Sequence, residues 1–322
     1  MAERLNPLVN LPVNFSLPEL RAFIEVVRSG SLSGATAKLN LSQPALSRRI
    51  DMIEQALGAT LLDRHHDGTR LTAAGRAFLP HAEAALAELR DGMESVRGAA
   101  RGESGDVRVA MVASLCNRAV ISELERFRVE SPEIRLRLHT AASAEVSELV
   151  RSGEASFGIR YRGDPDRRLQ STPIAQETMT VVCSPRHPLA RSETVSVGRL
   201  AEETWIVWPL HPGEPDGGFI RVLASYGLKG SSTMITDSTI LQKQLIESGF
   251  GIGLMAATSI REDVASGTLC AVRVPAMRGG LSVVMVTRKG AHISSAARKL
   301  MDRLAPAYTP ARKKSSRRGG RT

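Results

Sequence analysis

The hydrophobic rhythm of the chain changes once, near residue 106, and that change limits the folds open to it. Up to about Arg97 the apolar residues repeat at helical spacing, with one short hairpin pattern among them. From "VRVAMVA" at Val107 onward, strand-like and helix-like runs alternate. Such a chain divides into a helical N-terminal part and a layered α/β part. Its 322 residues are enough for two or three domains with sizeable cores.

The helical part opens with a short arm over residues 1–15. "SLPELRAFIEVVRSG" follows, with Ser16 and Glu19 at capping-box spacing and Pro18 in the first turn. Leu17, Leu20, Phe23, Ile24 and Val27 form its apolar stripe and Gly30 stops it. "SLSGATAKLN" predicts a shorter helix capped by Ser33. "NLSQPALSRRI" starts a third, capped by Ser42, with Leu46, Ile50, Ile53 and Leu57 buried and Gly58 as terminator. "TLLDRHHDGTRLT" reads as a hairpin turning at Asp67-Gly68. Thr72 then caps a long helix over residues 73–97, about 38 Å in length. Its stripe, from Ala74 and Phe78 to Met93 and Val96, finds little nearby in sequence to cover it. The stripe predicts pairing with a second copy, against the alternative that the helix lies along its own domain.

"GAARGESGD", residues 98–106, is a linker by composition. Beyond it, alternating elements predict parallel sheet covered on both faces and arranged as two lobes around a cleft, over residues 107–305. The first lobe takes residues 107–162 and 269–305, and the second 163–268. Residues 306–322 are a basic tail without the composition of a packed segment.

Charge alone does not identify a partner. The net charge is +10, yet residues 1–105 hold 12 basic and 12 acidic residues, while the last twelve residues hold 6 basic and none acidic. The tail is expected either to add non-specific DNA affinity or only to solubilise. No run approaches the ~18 apolar residues of a membrane helix, and the N-terminus lacks a signal-peptide pattern. Cys116, Cys183 and Cys270 are too scattered for a disulfide framework, which fits a reducing cytoplasm and small buried thiols. No nucleophile–base set, metal cluster or cofactor motif stands out, so neither an enzyme nor a cofactor is expected. A secreted binding protein is disfavoured too, and neither rival explains residues 17–72.

Two helices joined by the short turn "LNLS" meet the geometry of a helix-turn-helix, whose second helix offers its first residues to the major groove. Gln43 suits adenine, and Arg48 suits guanine or phosphate. Ser42 and Ser47 suit phosphate or base edges, and Pro44 and Ala45 suit a thymine methyl. The hairpin supplies a wing with Arg64, His65, His66 and Arg70 near the DNA backbone.

With these pieces in hand, "LRAFIEVVRSGSLSGATAKLNLSQPALSRRIDMIEQALGATLLDR", then "RLTAAGRAFL", then a two-lobed half, the chain resembles LysR-type transcriptional regulators over about residues 17–305. The resemblance implies a multidomain protein: an α-rich winged helix-turn-helix over residues 16–72, a dimerisation linker helix over 73–97, and an α/β effector domain similar to periplasmic solute-binding proteins. It implies double-stranded promoter DNA as partner, a homodimer assembling to a homotetramer, contact with RNA polymerase, and a small-molecule effector between the lobes. DNA-binding positions carried over are Ser33, Ser42, Gln43, Pro44, Ala45, Ser47, Arg48, Arg49, Arg64 and Arg70. Effector positions are Ser114, Leu115, Ser143, Ala144 and Thr236. Helix N-termini with small hydroxyl residues favour anions, which points to a carboxylate or aromatic acid. Gly34 and Asp67 depart from the family, standing where many members carry basic residues.

Four weaker signals remain. "GFGIG", residues 249–253, follows a helix and precedes a strand, so it reads as a helix-ending turn, not a dinucleotide loop. Arg160 is either a clamp for an acidic effector or a surface arginine at the hinge. Trp208 and His211 are expected on the second wall of the cleft, with core burial the alternative for Trp208. Cys116 at a helix start would have a lowered thiol pKa, but no resolving cysteine lies near it in sequence.

Overall fold

A computed structural model describes residues 14–65, 68–101, 105–209, 218–228, 230, 232–277 and 279–308. His66 and Asp67 of the wing, His211, most of the arm, the middle of the linker and the tail beyond Tyr308 lie outside the described residues. The chain forms two compact units that divide between Met93 and Glu94.

The first unit holds α1 (Leu17–Ser29), α2 (Leu32–Leu39), α3 (Gln43–Leu57), the hairpin β1 (Leu62–His65) with β2 (Gly68–Leu71), and the start of α4 (Ala73–Arg101). Ser16 donates its amide N–H to Glu19 at 2.8 Å, half of the expected capping box. The cap of α2 is Ser31, not Ser33: the Ser31 hydroxyl accepts the Gly34 N–H at 3.1 Å. Ser33 lies exposed in the first turn, where its carbonyl accepts the Thr36 hydroxyl at 2.7 Å. Ser31 and Ser33 offer equal chemistry, but Ser31 has the extended backbone that a cap needs. Asn40 leaves α2 in the left-handed conformation, which Asn tolerates well. Ser42 caps α3, as expected.

Leu46, Ile50 and Ile53 of α3 are wholly buried against Phe23 and Leu61. The Glu54 carboxylate accepts the N–H groups of Leu61 and Leu62 at 2.7 and 3.1 Å, so the end of α3 fixes where β1 begins. Thr72 caps α4 by accepting the Gly75 N–H at 2.9 Å. α4 runs to Arg101, four residues beyond the expected Arg97, because Ala99, Ala100 and Arg101 favour helix and outweigh Gly98. Its stripe divides: Ala82, Phe78 and Leu86 pack on the first unit's core, whereas Leu89, Met93 and Val96 are 48%, 56% and 69% exposed.

The second unit begins with β3 (Gly105–Met111), α5 (Arg118–Glu130), β4 (Ile134–Thr140), α6 (Ser143–Arg151) and β5 (Phe157–Tyr161). The long β6 (Leu169–Cys183) then leads to α7 (Val197–Leu200), β7 (Trp205–Val207), α8 (Gly218–Ser225), β8 (Thr233–Ile235) and α9 (Thr239–Glu247). β9 (Gly253–Ala256), α10 (Arg261–Ser266), β10 (Cys270–Val272), β11 (Gly280–Arg288) and α11 (Ser295–Ala307) complete it. The main sheet runs β10-β6-β11-β5-β3-β4, with β9 also on β6. β3 pairs β4 and β5 in parallel, as the alternation predicted, but β11 is antiparallel to both β5 and β6. The sheet is therefore mixed. The chain leaves the first lobe along β6 and returns along β11, so these two strands run in opposite directions.

Two main cores mark the lobes. Val109, Phe127, Phe157, Ile159 and Leu300 centre the first, and Val181, Trp205, Ile252 and Leu254 the second. Leu169 still packs with first-lobe residues, and Val272, Val274 and Met277 with the second core. The crossings thus fall later in sequence than residues 163 and 269. α5 starts at Arg118, capped by Asn117, and a short 3-10 turn precedes it. Cys116 is therefore not at the helix start; it is exposed, not buried as the composition suggested, and partial desolvation of its thiol pushes the pKa up instead of down.

Candidate DNA-reading face and effector cleft

The apolar side of α3 is locked in the core, which fixes the outward side. Gln43, Pro44 and Arg48 are exposed, and Ala45, Ser47 and Arg49 half-buried. Ser42 is exposed at the cap, and Arg70 is exposed on β2 opposite Asp63. Arg64 reaches from β1 across to α3. It donates to the Ser47 hydroxyl at 2.8 Å and to the Asp51 carboxylate at 2.9 Å. Ser47 and Arg64 therefore act as one unit, and Asp51 is a third member that the sequence reading missed. The available signal was spacing, since Asp51 stands one helical turn after Ser47. Gly34 has a local reason: a Cβ there would lie 3.1 Å from both Ser29 Cβ and Ser31 Oγ.

The cleft between the lobes has a volume of about 140 Å³. Ser114, Ala142 and Ser143 line it from the first lobe, and Trp208, Thr239 and Gln242 from the second. Arg160, Tyr161 and Arg162 line it from the end of β5, and Leu254, Met255 and Ala256 from β9. Ser114 and Tyr161 share a hydrogen bond of 2.9 Å, and burial pushes the Tyr161 hydroxyl well above its usual pKa, so it stays protonated. Ala142 begins α6 without a side-chain cap. The Thr239 hydroxyl is buried with no partner among the described residues. The Trp208 indole N–H donates to the Gln242 side chain at 3.2 Å, and Gln242 donates to the Ile206 carbonyl at 2.7 Å. Trp208 thus stands on the wall, held by Gln242. An adjoining groove of about 360 Å³ shares Arg162, Val222, Leu254 and Leu281 with the cleft and adds Arg221 and Tyr226.

Of the seven effector positions expected from sequence, Ser114, Ser143, Arg160 and Trp208 meet in this cleft. Leu115 is fully buried in the first core, and Ala142 lines the cleft where Ala144 does not. Thr236 is also displaced by a neighbour. It is buried, its N–H donates to the Val207 carbonyl and its hydroxyl accepts the Ser238 N–H at 3.2 Å, so it shapes the approach to α9. Thr239, in the first turn of α9, takes the lining position. Gly249 adopts the left-handed conformation just after α9, as a helix-ending turn requires.

Arg160 is neither a free clamp nor a surface residue. It is 6% exposed, donates to the Ser147 hydroxyl at 2.5 Å and to the Tyr161 carbonyl at 3.2 Å, and is ion-paired with Asp164. Burial alone would raise the Asp164 carboxyl. The Ser147 hydrogen bond, the Asp166 N–H and the Arg160 charge outweigh it and hold the pKa below the usual range. A carboxyl so depressed stabilises the folded state above its unfolded pKa of about 4, and that contribution is lost as pH falls through the lower folded value. Asp164→Asn is expected to cost the second unit about 3 kcal/mol at neutral pH, since it strands a buried guanidinium. Thermal melts from neutral to acid pH should show the variant losing less stability than wild type. Parallel pH curves would contradict the pairing.

No helix among the described residues is long and apolar enough to cross a membrane. Residues 17–76 match the family model of the bacterial regulatory helix-turn-helix protein, lysR family, and residues 100–308 match the LysR substrate binding domain. The Escherichia coli K12 protein described as the uncharacterized HTH-type transcriptional regulator YdcI is 29% identical over 287 residues, 87% of this chain and 91% of that protein. The small neutral protease regulatory protein of Streptomyces coelicolor is 35% identical over 221 residues, 65% of this chain and 68% of that protein. Among solved structures, full-length CbnR, a LysR family transcriptional regulator, superposes with a TM-score of 0.60 at 21% identity, covering 91% of this chain and 99% of that one. A full-length OxyR variant from Pseudomonas aeruginosa gives 0.63 at 16%, covering 92% and 96%. At those identities the structures speak for the fold alone. With family models matched in both units, the chain belongs to the LysR family of DNA-binding transcriptional regulators, and it carries that family's effector-binding domain.

Proposed function

We propose that the protein is a cytoplasmic, promoter-bound regulator whose DNA affinity or DNA bending responds to a small carboxylate or aromatic acid in the cleft. The domain division is that of the sequence: residues 16–72 bind DNA, α4 pairs two subunits, and the two-lobed half takes the effector. The observation that carries the effector reading is the lining of the cleft. The uncapped first turn of α6 and the unpartnered Thr239 hydroxyl offer donors to a carboxylate, while Trp208, Leu254 and Met255 offer apolar surface to its body. The volume of about 140 Å³ favours a small occupant.

On the DNA side, Gln43, Ser47 and Arg48 read base edges, with Arg49, Arg70 and Ser42 on phosphate. The exposed Leu89, Met93 and Val96 supply the pairing face of α4, which supports a homodimer and, by further assembly, a homotetramer. RNA polymerase is the partner expected at the promoter.

Thermal-shift titration with benzoate, succinate and their amides tests the effector class. The acids are expected to raise the melting temperature, since ligands that bind only the folded state stabilise it. Thr239→Val should weaken that response by about tenfold in affinity. Equal shifts from acids and amides would exclude carboxylate recognition.

Asp51 tunes the DNA side. Asp51→Ala removes the carboxylate that neutralises Arg64, so DNA binding should tighten and the log–log salt slope should steepen by about 0.9, one phosphate contact. Anisotropy titrations across salt read this directly. An unchanged slope would mean that Arg64 does not reach phosphate.

A further inference from the structure

The fold brings together two of the cysteines that the sequence scatters. β10 runs antiparallel beside the end of β6, with Cys270 directly opposite Cys183. Directly opposed residues point to the same face of a sheet, with Cα atoms about 4.5–5.5 Å apart, and a disulfide spans about 4.4–6.8 Å. Cys183 is wholly buried in the second-lobe core, and Cys270 packs against the same core while remaining partly exposed. Burial, and after it the neighbouring Cys270 thiol, push the Cys183 thiol up to about 12, so the two sulfurs sense each other. The third cysteine, Cys116, is in the first lobe near Tyr308 and takes no part.

We propose that Cys183 and Cys270 form a redox modification site, a cross-strand dithiol that a hydroperoxide closes to an intramolecular disulfide. Cys270 reacts first, because only its side of the pair meets solvent. Its thiolate attacks one peroxide oxygen, the O–O bond breaks, and the leaving hydroxide takes a proton to become water. The resulting sulfenic acid on Cys270 is attacked by the Cys183 sulfur, which gives up its proton as the S–S bond forms and a second water leaves. The two thiols lose two electrons and two protons in all, and hydrogen peroxide is reduced to two waters. A dithiol reductant reverses the step by exchange. The high pKa of Cys183 makes closure slow, which suits sustained oxidation more than a brief pulse.

The bridge would join the end of β6 to the start of β10 and so close the stretch of chain that carries β7, α8, β8, α9 and β9. Trp208, Thr239 and Gln242 of the cleft wall lie inside that loop. Oxidation would cross-link β6 to β10 within the second-lobe core, and this holds whichever effector the cleft takes.

The test uses the full-length reduced protein, hydrogen peroxide, alkylation of the remaining thiols with iodoacetamide, and intact-mass and peptide mapping. The expected product has lost two hydrogen atoms, keeps Cys116 as its one alkylatable thiol, and yields a linked peptide containing Cys183 and Cys270 that dithiothreitol cleaves. Cys116→Ser should give the same linked peptide, and Cys270→Ser should give none. The oxidised protein should melt about 5–10 °C higher than the reduced form. Recovery of Cys183 and Cys270 both alkylated, over-oxidation of Cys270 without a linked peptide, or a link through Cys116 would each overturn the proposal. Because the wild-type map is read directly, the result does not depend on any variant folding.

Discussion

Gly75→Ala destabilises the N-terminal unit by about 2–4 kcal/mol and with it removes DNA binding. In an ordinary helix this substitution would stabilise by up to ~1 kcal/mol, so the sign is the test. A Cβ built on Gly75 lies 2.1 Å from the Leu61 carbonyl oxygen and 2.8 Å from Leu71 Cδ2. Neither the helix nor the strand can retreat. The Thr72 N–H donates to that same Leu61 carbonyl at 3.0 Å, and the Thr72 hydroxyl donates to the Thr60 carbonyl at 2.7 Å. Glu54 holds Leu61 from the other side. The glycine of "LTAAG" is therefore required for α4 to leave the hairpin against bare backbone. Urea unfolding followed by circular dichroism measures the loss, and an alanine variant as stable as wild type would show that the close approach is not maintained in solution.

Arg48→Ala should cost about 1–3 kcal/mol of specific binding, a ten- to hundredfold loss of operator affinity. Arg48 is exposed six residues along α3 from the Ser42 cap, while Leu46 and Ile50 on either side are wholly buried. Core packing thus sets its direction, and no core contact is lost with it. The variant should melt as wild type does and lose discrimination between operator and random duplex. Arg49→Ala, by contrast, should weaken both duplexes alike if it contacts phosphate. Undiminished operator binding by a folded Arg48→Ala would remove this residue from the base-reading face.

What could be read from the sequence was what local chemistry decides. The caps at Ser16, Ser42 and Thr72, the terminators Gly30 and Gly58, and the α3 stripe of Leu46, Ile50 and Ile53 follow from spacing alone, while Leu57, expected in that stripe, lies 38% exposed in the last turn of α3. The change from helical to alternating rhythm gave the two kinds of architecture. What escaped was pairing at a distance. Arg160 is held by Ser147 from α6, Arg64 by Ser47 and Asp51 from α3, and Cys183 meets Cys270 only because β10 returns to β6. Nothing in the periodicity of either partner states such a meeting. Near misses had a different cause. Ser33 for Ser31, Ala144 for Ala142 and Thr236 for Thr239 each substitute one small residue for a neighbour of similar chemistry, and backbone conformation makes the choice. The antiparallel β11 was hidden because strand patterns carry no sign of direction.

Sequence-specific DNA binding through α3 is the point on which the rest depends. The most direct test is an anisotropy titration at fixed salt of the full-length protein against the promoter of its own or a divergently transcribed neighbouring gene, beside a scrambled duplex of equal length. The expected result is operator binding tighter than scrambled binding by at least about 10³-fold. A ratio near one, with both affinities falling together as salt rises, would contradict it.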